Sequence, residues 1–262
     1  MRFKRGDFGN LSMCATKPDP GTVVDNLKVS SFGLSDRGKM REENEDMFYV
    51  DDSKRVYAVA DGLGGLPCGA LASKLAIKLL GKSIEKESNG KLNFEDLFNN
   101  INETVYIEGK KVSEEVGIGT TLTVIHLKHN YMDIGHIGDC TAYICRNKKW
   151  HKLTTDHTME EEIRSRLAPD DDTEIPDYFS HTLTRCIGQQ GEIETDVYKK
   201  DLKTGDRILI CSDGISKILT EEELHDETLL ADTPESLIRS LIDIANDRGG
   251  PDNSTGIAIF VS

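Results

Sequence analysis

The sequence lacks paired cysteines, long apolar runs and any cluster of positive charge. Its six cysteines are spread singly, without a Cys-x-x-Cys pair or zinc-type Cys/His spacing, which excludes a disulfide scaffold and a zinc-finger framework. No apolar stretch approaches the roughly 20 residues of a transmembrane helix, and the amino terminus has no signal-peptide core. We therefore expect a cytoplasmic protein with reduced thiols and no membrane partner.

Basic side chains are also outnumbered. The chain has 32 Lys and Arg against 46 Asp and Glu, a formal net charge of -14. Such a surface repels nucleic acid, which we do not expect as a partner. The 37% apolar and 30% charged residues are typical of a globular protein. Excess carboxylates are also the ligands that hard cations require, so the composition permits a metal site.

The chain divides into a short lead-in and one large domain. Residues 1–28 show little patterning and contain Pro18, Pro20 and Gly21, which interrupt any long element. We interpret 1–28 as an N-terminal extension or a poorly ordered lead-in, and 29–262 as a single domain. No internal repeat or low-complexity tract argues for a further division.

Strands and helices are predicted in separate blocks. Short β-rich runs predict strands at 47–50, 55–60, 120–127, 131–137, 141–146, 207–211 and 257–261. Helical periodicity and capping signals predict helices at 70–80, around 94–101, at 159–167, and after Thr220 and Thr233. Because strict β-α-β alternation fails, we predict an α+β fold of antiparallel sheets covered by helices.

Aspartates follow several of these elements. Asp61 and Asp213 come within two residues after the two continuously apolar strands, Asp139 follows another strand, and Asp252 follows the Gly-Gly-Pro stop of the last helix. Carboxylates of this kind suit Mg²⁺ or Mn²⁺. One aspartate before glycine is ordinary turn chemistry, so it is the number of these aspartates that indicates a site.

An arginine and an acidic pair, Arg41, Glu45 and Asp46, precede the first of these strands. The planar guanidinium of arginine can bind two phosphate oxygens at once. Two cations about 3.5–4 Å apart can activate a bridging water and support in-line displacement at phosphorus. Together these residues fit phosphoryl chemistry.

The segments that carry these residues resemble, in order, the PPM/PP2C family of metal-dependent Ser/Thr protein phosphatases in its compact bacterial form. They are SDRGKMREENED, VADGLGG, GTTLTV, HIGDCTAYI, LTTDHT, LTRCIG, GDRILICSDGI and PDNSTGIAIFV, and they span about residues 30–262. The resemblance implies that 29–262 is a catalytic domain, a β-sandwich of two antiparallel sheets flanked by helices. It also implies two or three Mn²⁺ or Mg²⁺ ions at one end of the sandwich.

The resemblance assigns the core of the metal centre residue by residue. It implies that Asp61 bridges both ions, with the Gly62 carbonyl joining the coordination. It implies that Asp213 and Asp252 complete the shell of one ion. Asn253, next to the last ligand, is implied to orient it.

Four further residues receive roles from the same resemblance. Glu45 and Asp46 are implied to act around the two ions, directly or through water. Arg41 is implied to hold the substrate phosphate. Asp139, together with Asp213, matches the position of a third ion in bacterial members.

The implied activity is hydrolysis of phosphoserine and phosphothreonine on proteins by a metal-activated water, without a covalent intermediate, in opposition to a Ser/Thr kinase. Leu63 stands where animal members carry histidine, so the leaving-group proton must come from water or elsewhere. Leu66 and Ala70 replace a histidine and a glutamate that are common in bacterial members. Two alternatives stay open: a pseudophosphatase that binds a phosphoprotein or kinase, and a phosphatase of small phosphorylated metabolites.

Cys140 and Arg146 show the Cys-x₅-Arg spacing of cysteine-dependent phosphatases. The residues between them predict a β-strand rather than a phosphate-binding loop. Asp139 beside the thiol would raise its pKa instead of lowering it. We therefore interpret this spacing as coincidence.

Two histidines and an acidic run complete the candidates. His136 lies on an apolar strand face, and we interpret it as a core histidine with satisfied hydrogen bonds. His157 precedes a capping box and is a candidate for the substrate approach. The run 170–172, three aspartates, is interpreted as a solvated loop, with calcium binding as the alternative.

Overall fold

The computed structural model describes residues 22–24, 27–64, 66, 68–86, 92–168 and 173–262. Its strands are β1 Thr22–Val24, β2 Leu27–Asp36, β3 Asp46–Asp51, β4 Val56–Asp61, β5 Leu122–Leu127, β6 Tyr131–Ile137, β7 Thr141–Arg146, β8 Lys149–Lys152, β9 Asp196–Asp201, β10 Arg207–Cys211 and β11 Ser254–Val261. Its helices are α1 Gly69–Lys86, α2 Phe94–Val112, α3 Met159–Arg164, α4 Asp213–Ser216, α5 Glu221–Leu230 and α6 Pro234–Asp247, with a 3₁₀ helix at Asp177–His181.

The strands form two antiparallel sheets. The first has the order β1-β2-β11-β10-β7-β8 and the second has the order β3-β4-β5-β6-β9. Their inner faces pack against each other through fully buried side chains, such as Val59 and Ile125 of one sheet and Ile208 and Ile257 of the other. This arrangement confirms the predicted α+β sandwich.

Helices cover both outer faces because side chains alternate along each buried strand. On β4, Val59 faces the other sheet whereas Ala58 packs under α1 and α2 together with Phe98. On β10, Leu209 packs under α6 against Leu237. Strands covered on both faces read as continuous apolar runs, which explains the patterns of β4 and β10.

All seven predicted strands are confirmed, whereas four other strands of the described ranges were missed. Strands β8 and β9 are short and polar, so pairing with β7 and β6 decides their conformation rather than intrinsic propensity. Strand β2 contains serines and a glycine, which are not typical of a strand. The glycine, Gly33, lies under the Phe48 ring, where a Cβ would come within 2.8 Å of the ring. The short helix α4 was also missed, and α3 ends at Arg164, before the predicted 167.

The amino-terminal prediction is only partly covered by the structure. Residues 1–21 and 25–26 lie outside the described residues, and so does the acidic run 170–172. Strand β2 begins at Leu27, two residues before the predicted start of the domain, and pairs with β1. The N-terminal extension stays a prediction. In the described ranges, no helix has the length and apolar character to cross a membrane.

The inter-sheet core predicts the cost of truncating a side chain. Ile259 on β11 is fully buried between the sheets, so Ile259→Ala should lower the free energy of unfolding by about 2–5 kcal/mol. Val197 on the edge strand β9 is 50% exposed, and Val197→Ala should change it by less than about 0.5 kcal/mol. Urea denaturation followed by circular dichroism measures both. Equal losses in the two variants would contradict the assigned core.

Candidate metal centre and active site

The sandwich gathers the predicted residues at one edge of its two sheets. Antiparallel pairing places Asp46, the first residue of β3, opposite Asp61, the last residue of β4, and β10 ends beside the start of β11. A cleft of about 1070 Å³ opens there. Eight of the nine predicted site residues line it: Arg41, Glu45, Asp61, Gly62, Asp139, Asp213, Asp252 and Asn253.

Asp61 is fixed at the floor of this cleft by its own backbone. Its amide donates to Thr121 Oγ1 at 2.8 Å. Its carbonyl accepts from the Thr121 amide and from Thr120 Oγ1, both at 2.8 Å. The backbone groups are therefore satisfied within the fold, which leaves the carboxylate directed to the cleft.

Asp46, the ninth predicted residue, lies beneath the cleft and is only 1% exposed. Its Oδ2 accepts from Ser212 Oγ at 2.7 Å, whereas its Oδ1 has no partner. An unpartnered buried carboxylate oxygen is costly. Asp46 is thus suited to hold a cation or to orient a group that does.

Glycine is required next to Asp61 because three backbone segments meet there. A Cβ on Gly62 would lie 2.4 Å from the carbonyl of Gly69 and 2.8 Å from that of Glu45. The Gly62 amide donates to the same Glu45 carbonyl at 3.1 Å. The close packing joins β4, the start of α1 and the loop before β3.

The Glu45 carboxylate lies at the amino terminus of α1. Burial raises its pKa, and hydrogen bonds from the amides of Ala70 and Gly69 partly offset that increase. Ala70 thus contributes a backbone donor at a position where bacterial members carry glutamate. Leu63 and Leu66 form an apolar wall of the cleft near Gly119.

Asn253 ties the loop that carries Arg41 and Glu45 to the rest of the site. Its Oδ1 accepts from the Glu45 amide at 2.8 Å. Its Nδ2 donates to the carbonyls of Arg37 at 2.8 Å and Glu43 at 3.0 Å. The side chain is 4% exposed, so these three bonds fix the loop relative to the preceding residue, Asp252.

Arg41 lies at the rim of the cleft. Its Nη2 donates to Asp252 Oδ2 at 2.7 Å, and 41% of its side chain is exposed. The partner Asp252 has a pKa raised by burial and by the nearby charge of Asp213, in part offset by Arg41. The guanidinium is thus held beside the acidic cluster but stays accessible to a ligand.

On the opposite wall, Asp139 and Asp213 share one lysine that the sequence analysis missed. Lys217 Nζ donates to Asp139 Oδ2 at 2.8 Å and to Asp213 Oδ2 at 2.9 Å. His181, from the 3₁₀ helix, also approaches Asp213, at 3.8 Å. Burial alone would raise the pKa of Asp213. The hydrogen bonds and Coulombic interactions with His181 and Lys217 outweigh this effect, so the pKa of Asp213 lies below its ordinary value. The Asp-x₃-Lys spacing could have indicated Lys217 only if helix α4 had been predicted. Nothing in the sequence indicated His181.

The prediction that His157 lines the substrate approach is wrong. His157 is 3% exposed, and its Nδ1 accepts from the Gly138 amide at 3.1 Å. It therefore fixes the turn that carries Asp139. His136 is the predicted core histidine, with Thr123 Oγ1 at 2.8 Å and the Thr155 carbonyl at 3.0 Å from its ring nitrogens.

Cys140 and Arg146 do not form a phosphate-binding loop. Arg146 ends strand β7 and binds the carboxylates of Asp206 and Asp201 at 2.7–2.8 Å. Cys140 is fully buried, and burial together with the Asp61 charge raises the pKa of its thiol far above the ordinary value. A buried neutral thiol cannot act as the nucleophile.

The carboxylates of the cleft resist ionisation when no cation is bound, as expected of a cation site. Burial and neighbouring carboxylates raise the pKa of Asp61 well above its ordinary value, that of Asp46 to about 7 and that of Asp139 to about 6. Oxygen donors of this type fit Mg²⁺ or Mn²⁺. In the described part of the chain, no three His, Cys, Asp or Glu side chains are arranged to enclose one ion. Each ligand role therefore stays a proposal.

The two-sheet sandwich brings carboxylates and an arginine into one cleft. This is the arrangement of a metal-dependent phosphatase. The protein phosphatase 2C family profile matches residues 38–246, so the chain belongs to that family. This membership confirms the resemblance seen in the sequence motifs.

Individual relatives agree with this assignment. The chain is 28% identical over 237 residues to the serine/threonine phosphatase Stp of Listeria monocytogenes, which covers 86% of this chain and 93% of that protein. It is 31% identical over 236 residues to the protein phosphatase PhpP of Streptococcus pneumoniae, covering 85% and 93%. A crystal structure of the catalytic domain of the phosphatase PstP with two manganese ions matches with a TM-score of 0.77 and 30% identity, covering 90% of this chain and 99% of that one.

The raised carboxyl pKa values predict an inverted pH dependence of stability without metal. The folded state holds the Asp46 proton up to about pH 7, against an ordinary pKa of 3.8. Folding is therefore favoured at low pH, and the free energy of unfolding should fall as pH rises from about 4 to 7. Thermal unfolding in EDTA should show a lower Tm at pH 7 than at pH 5. Asp46→Asn should reduce this decrease, and parallel profiles for the two proteins would rule out the raised pKa.

Proposed function

We propose that this chain hydrolyses phosphoserine and phosphothreonine in proteins, using Mn²⁺ or Mg²⁺ bound in the acidic cleft. The observation that carries the proposal is the meeting of Asp61, Asp213 and Asp252 in one cleft with Arg41 at its rim. When bound, the ions would supply the Lewis acidity that activates water as the nucleophile. Two manganese ions in the PstP catalytic domain support this choice of cofactor.

The chain's own residues would divide the remaining work. Asp61, the Gly62 carbonyl, Asp213 and Asp252 would hold the ions, with Asp46 beneath them. Asn253 would keep the loop of Glu45 in place through its three hydrogen bonds.

Substrate binding would fall to Arg41. Its guanidinium is accessible and has N–H donors along more than one edge, so it can bind two phosphate oxygens while it stays near Asp252. Leu63 lines the cleft and offers no proton, so water would protonate the leaving group.

The substrate class comes from the relatives. Stp and PhpP are named as serine/threonine or protein phosphatases, which favours phosphorylated proteins and, through them, opposition to a Ser/Thr kinase. The five cysteines in the described residues are unpaired, as expected for action in the reducing cytoplasm. All the predicted ligand residues are present, which disfavours a pseudophosphatase.

Turnover should depend strictly on the metal. Activity towards phosphoserine and phosphothreonine peptides should require added Mn²⁺ or Mg²⁺ and stop with excess EDTA, whereas phosphotyrosine peptides and small phosphorylated metabolites should be poor substrates. Asp61→Asn should abolish turnover, because it removes the central charge, while circular dichroism stays unchanged. Full activity in EDTA, or wild-type turnover in Asp61→Asn, would reject the metal mechanism.

Arg41 should act mainly in binding the phosphate. Arg41→Ala should raise KM for a phosphothreonine peptide about tenfold or more with a smaller change in kcat, because the lost contact exists already in the ground state. The matched control is Arg239→Ala, since Arg239 pairs with Glu235 on α6, in an exposed ion pair. Steady-state kinetics of both variants measure the effect. An unchanged KM in Arg41→Ala would remove Arg41 from substrate binding.

A further inference from the structure

Lys217 places a permanent positive charge inside the candidate metal centre. Its Nζ donates to both Asp139 and Asp213, at 2.8 and 2.9 Å. The side chains are largely shielded from solvent, with exposed fractions of 23% for Lys217, 7% for Asp139 and 14% for Asp213. The ammonium group therefore bridges two carboxylates in the wall of the cleft.

The position of this lysine follows from the helix that begins at Asp213. Lys217 comes four residues later, and its amide donates to the Asp213 carbonyl at 2.9 Å. Residues four apart lie on the same side of a helix, so the two side chains meet. His181 Nδ1 lies 3.3 Å from Lys217 Nζ and covers the ammonium group from the side of the 3₁₀ helix.

Asp139 and Asp213 are the same two residues to which the family resemblance assigns a third ion. A Mg²⁺ ion binds carboxylate oxygens at about 2.0–2.1 Å, so an ion held by the two Oδ2 atoms would have to displace the ammonium from them. The displaced lysine would stay close to the ion because its backbone is fixed at the C-terminal end of the helix. Two like charges would then share one wall of the cleft.

We propose that Lys217 takes the place of the third ion in this chain, so that the centre binds two divalent ions and the lysine supplies the remaining positive charge. The proposal rests on the function proposed above. A lysine ammonium has three donors but cannot act as a Lewis acid towards water. The lysine therefore positions Asp139 and Asp213 and balances their charge, and it does so at any metal concentration.

The test is the number of metal ions bound per chain. Equilibrium dialysis of the full chain against Mn²⁺, with metal analysis of the protein compartment, should saturate at two ions. Lys217→Met keeps most of the length of the side chain and removes the charge, so it should bind a third, weaker ion. The double variant Lys217→Met/Asp139→Asn should return to two ions. Lys203→Met is the matched control, because Lys203 pairs with the half-exposed Asp201, and it should stay at two.

Three ions bound by the wild-type chain with the affinity found for Lys217→Met would overturn the proposal, and so would two ions in Lys217→Met. Retention of the two tighter ions shows that Lys217→Met still folds around the centre. No bound ion in the wild-type chain would reject the proposed function itself. This outcome is distinguishable from a failure of the Lys217 proposal alone, in which ions still bind.

Discussion

Repulsion between carboxylates at the edge of the sandwich constrains the whole site. Two unit charges about 4 Å apart near a protein surface repel each other by about 4 kcal/mol, whereas a typical hydrogen bond contributes about 1 kcal/mol net. The bond from Ser212 to Asp46 therefore cannot offset the repulsion within the cluster. Only positive charge can, and the chain supplies part of it through Arg41 and Lys217. The rest is left to protons when no metal is bound, in line with the raised pKa values of Asp46 and Asp61, and to divalent cations when they bind.

The two sheets provide the rigidity that keeps such a cluster together. Asp61 follows a strand buried on both faces, and its backbone is fixed by Thr120 and Thr121. Asp139 is fixed indirectly, because the buried His157 accepts from the Gly138 amide. Carboxylates that the backbone holds in this way cannot move apart to relieve their repulsion. A bound cation would relieve the repulsion between these carboxylates.

The sequence predicted the parts of this structure that depend on local pattern. Continuous apolar runs identified β4 and β10, and the aspartates at or just after their ends mark the cleft, because these two strands, one in each sheet, end at the same edge of the sandwich. Strand β9, with the sequence DVYKKD, has little apolar content, and only its pairing with β6 makes it a strand. The role of His157 was misjudged because a buried histidine and a site histidine look alike in sequence. The contact of Lys217 with Asp139 was invisible because it joins distant segments.

We propose that the carboxylates of the cleft jointly hold a pair of divalent ions. Anomalous diffraction at the manganese absorption edge, from crystals grown with Mn²⁺, would locate these ions. We expect two strong peaks in the cleft, with oxygens of Asp61 near both and those of Asp213 and Asp252 near one. Peaks only outside the cleft, or none at saturating Mn²⁺, would contradict it.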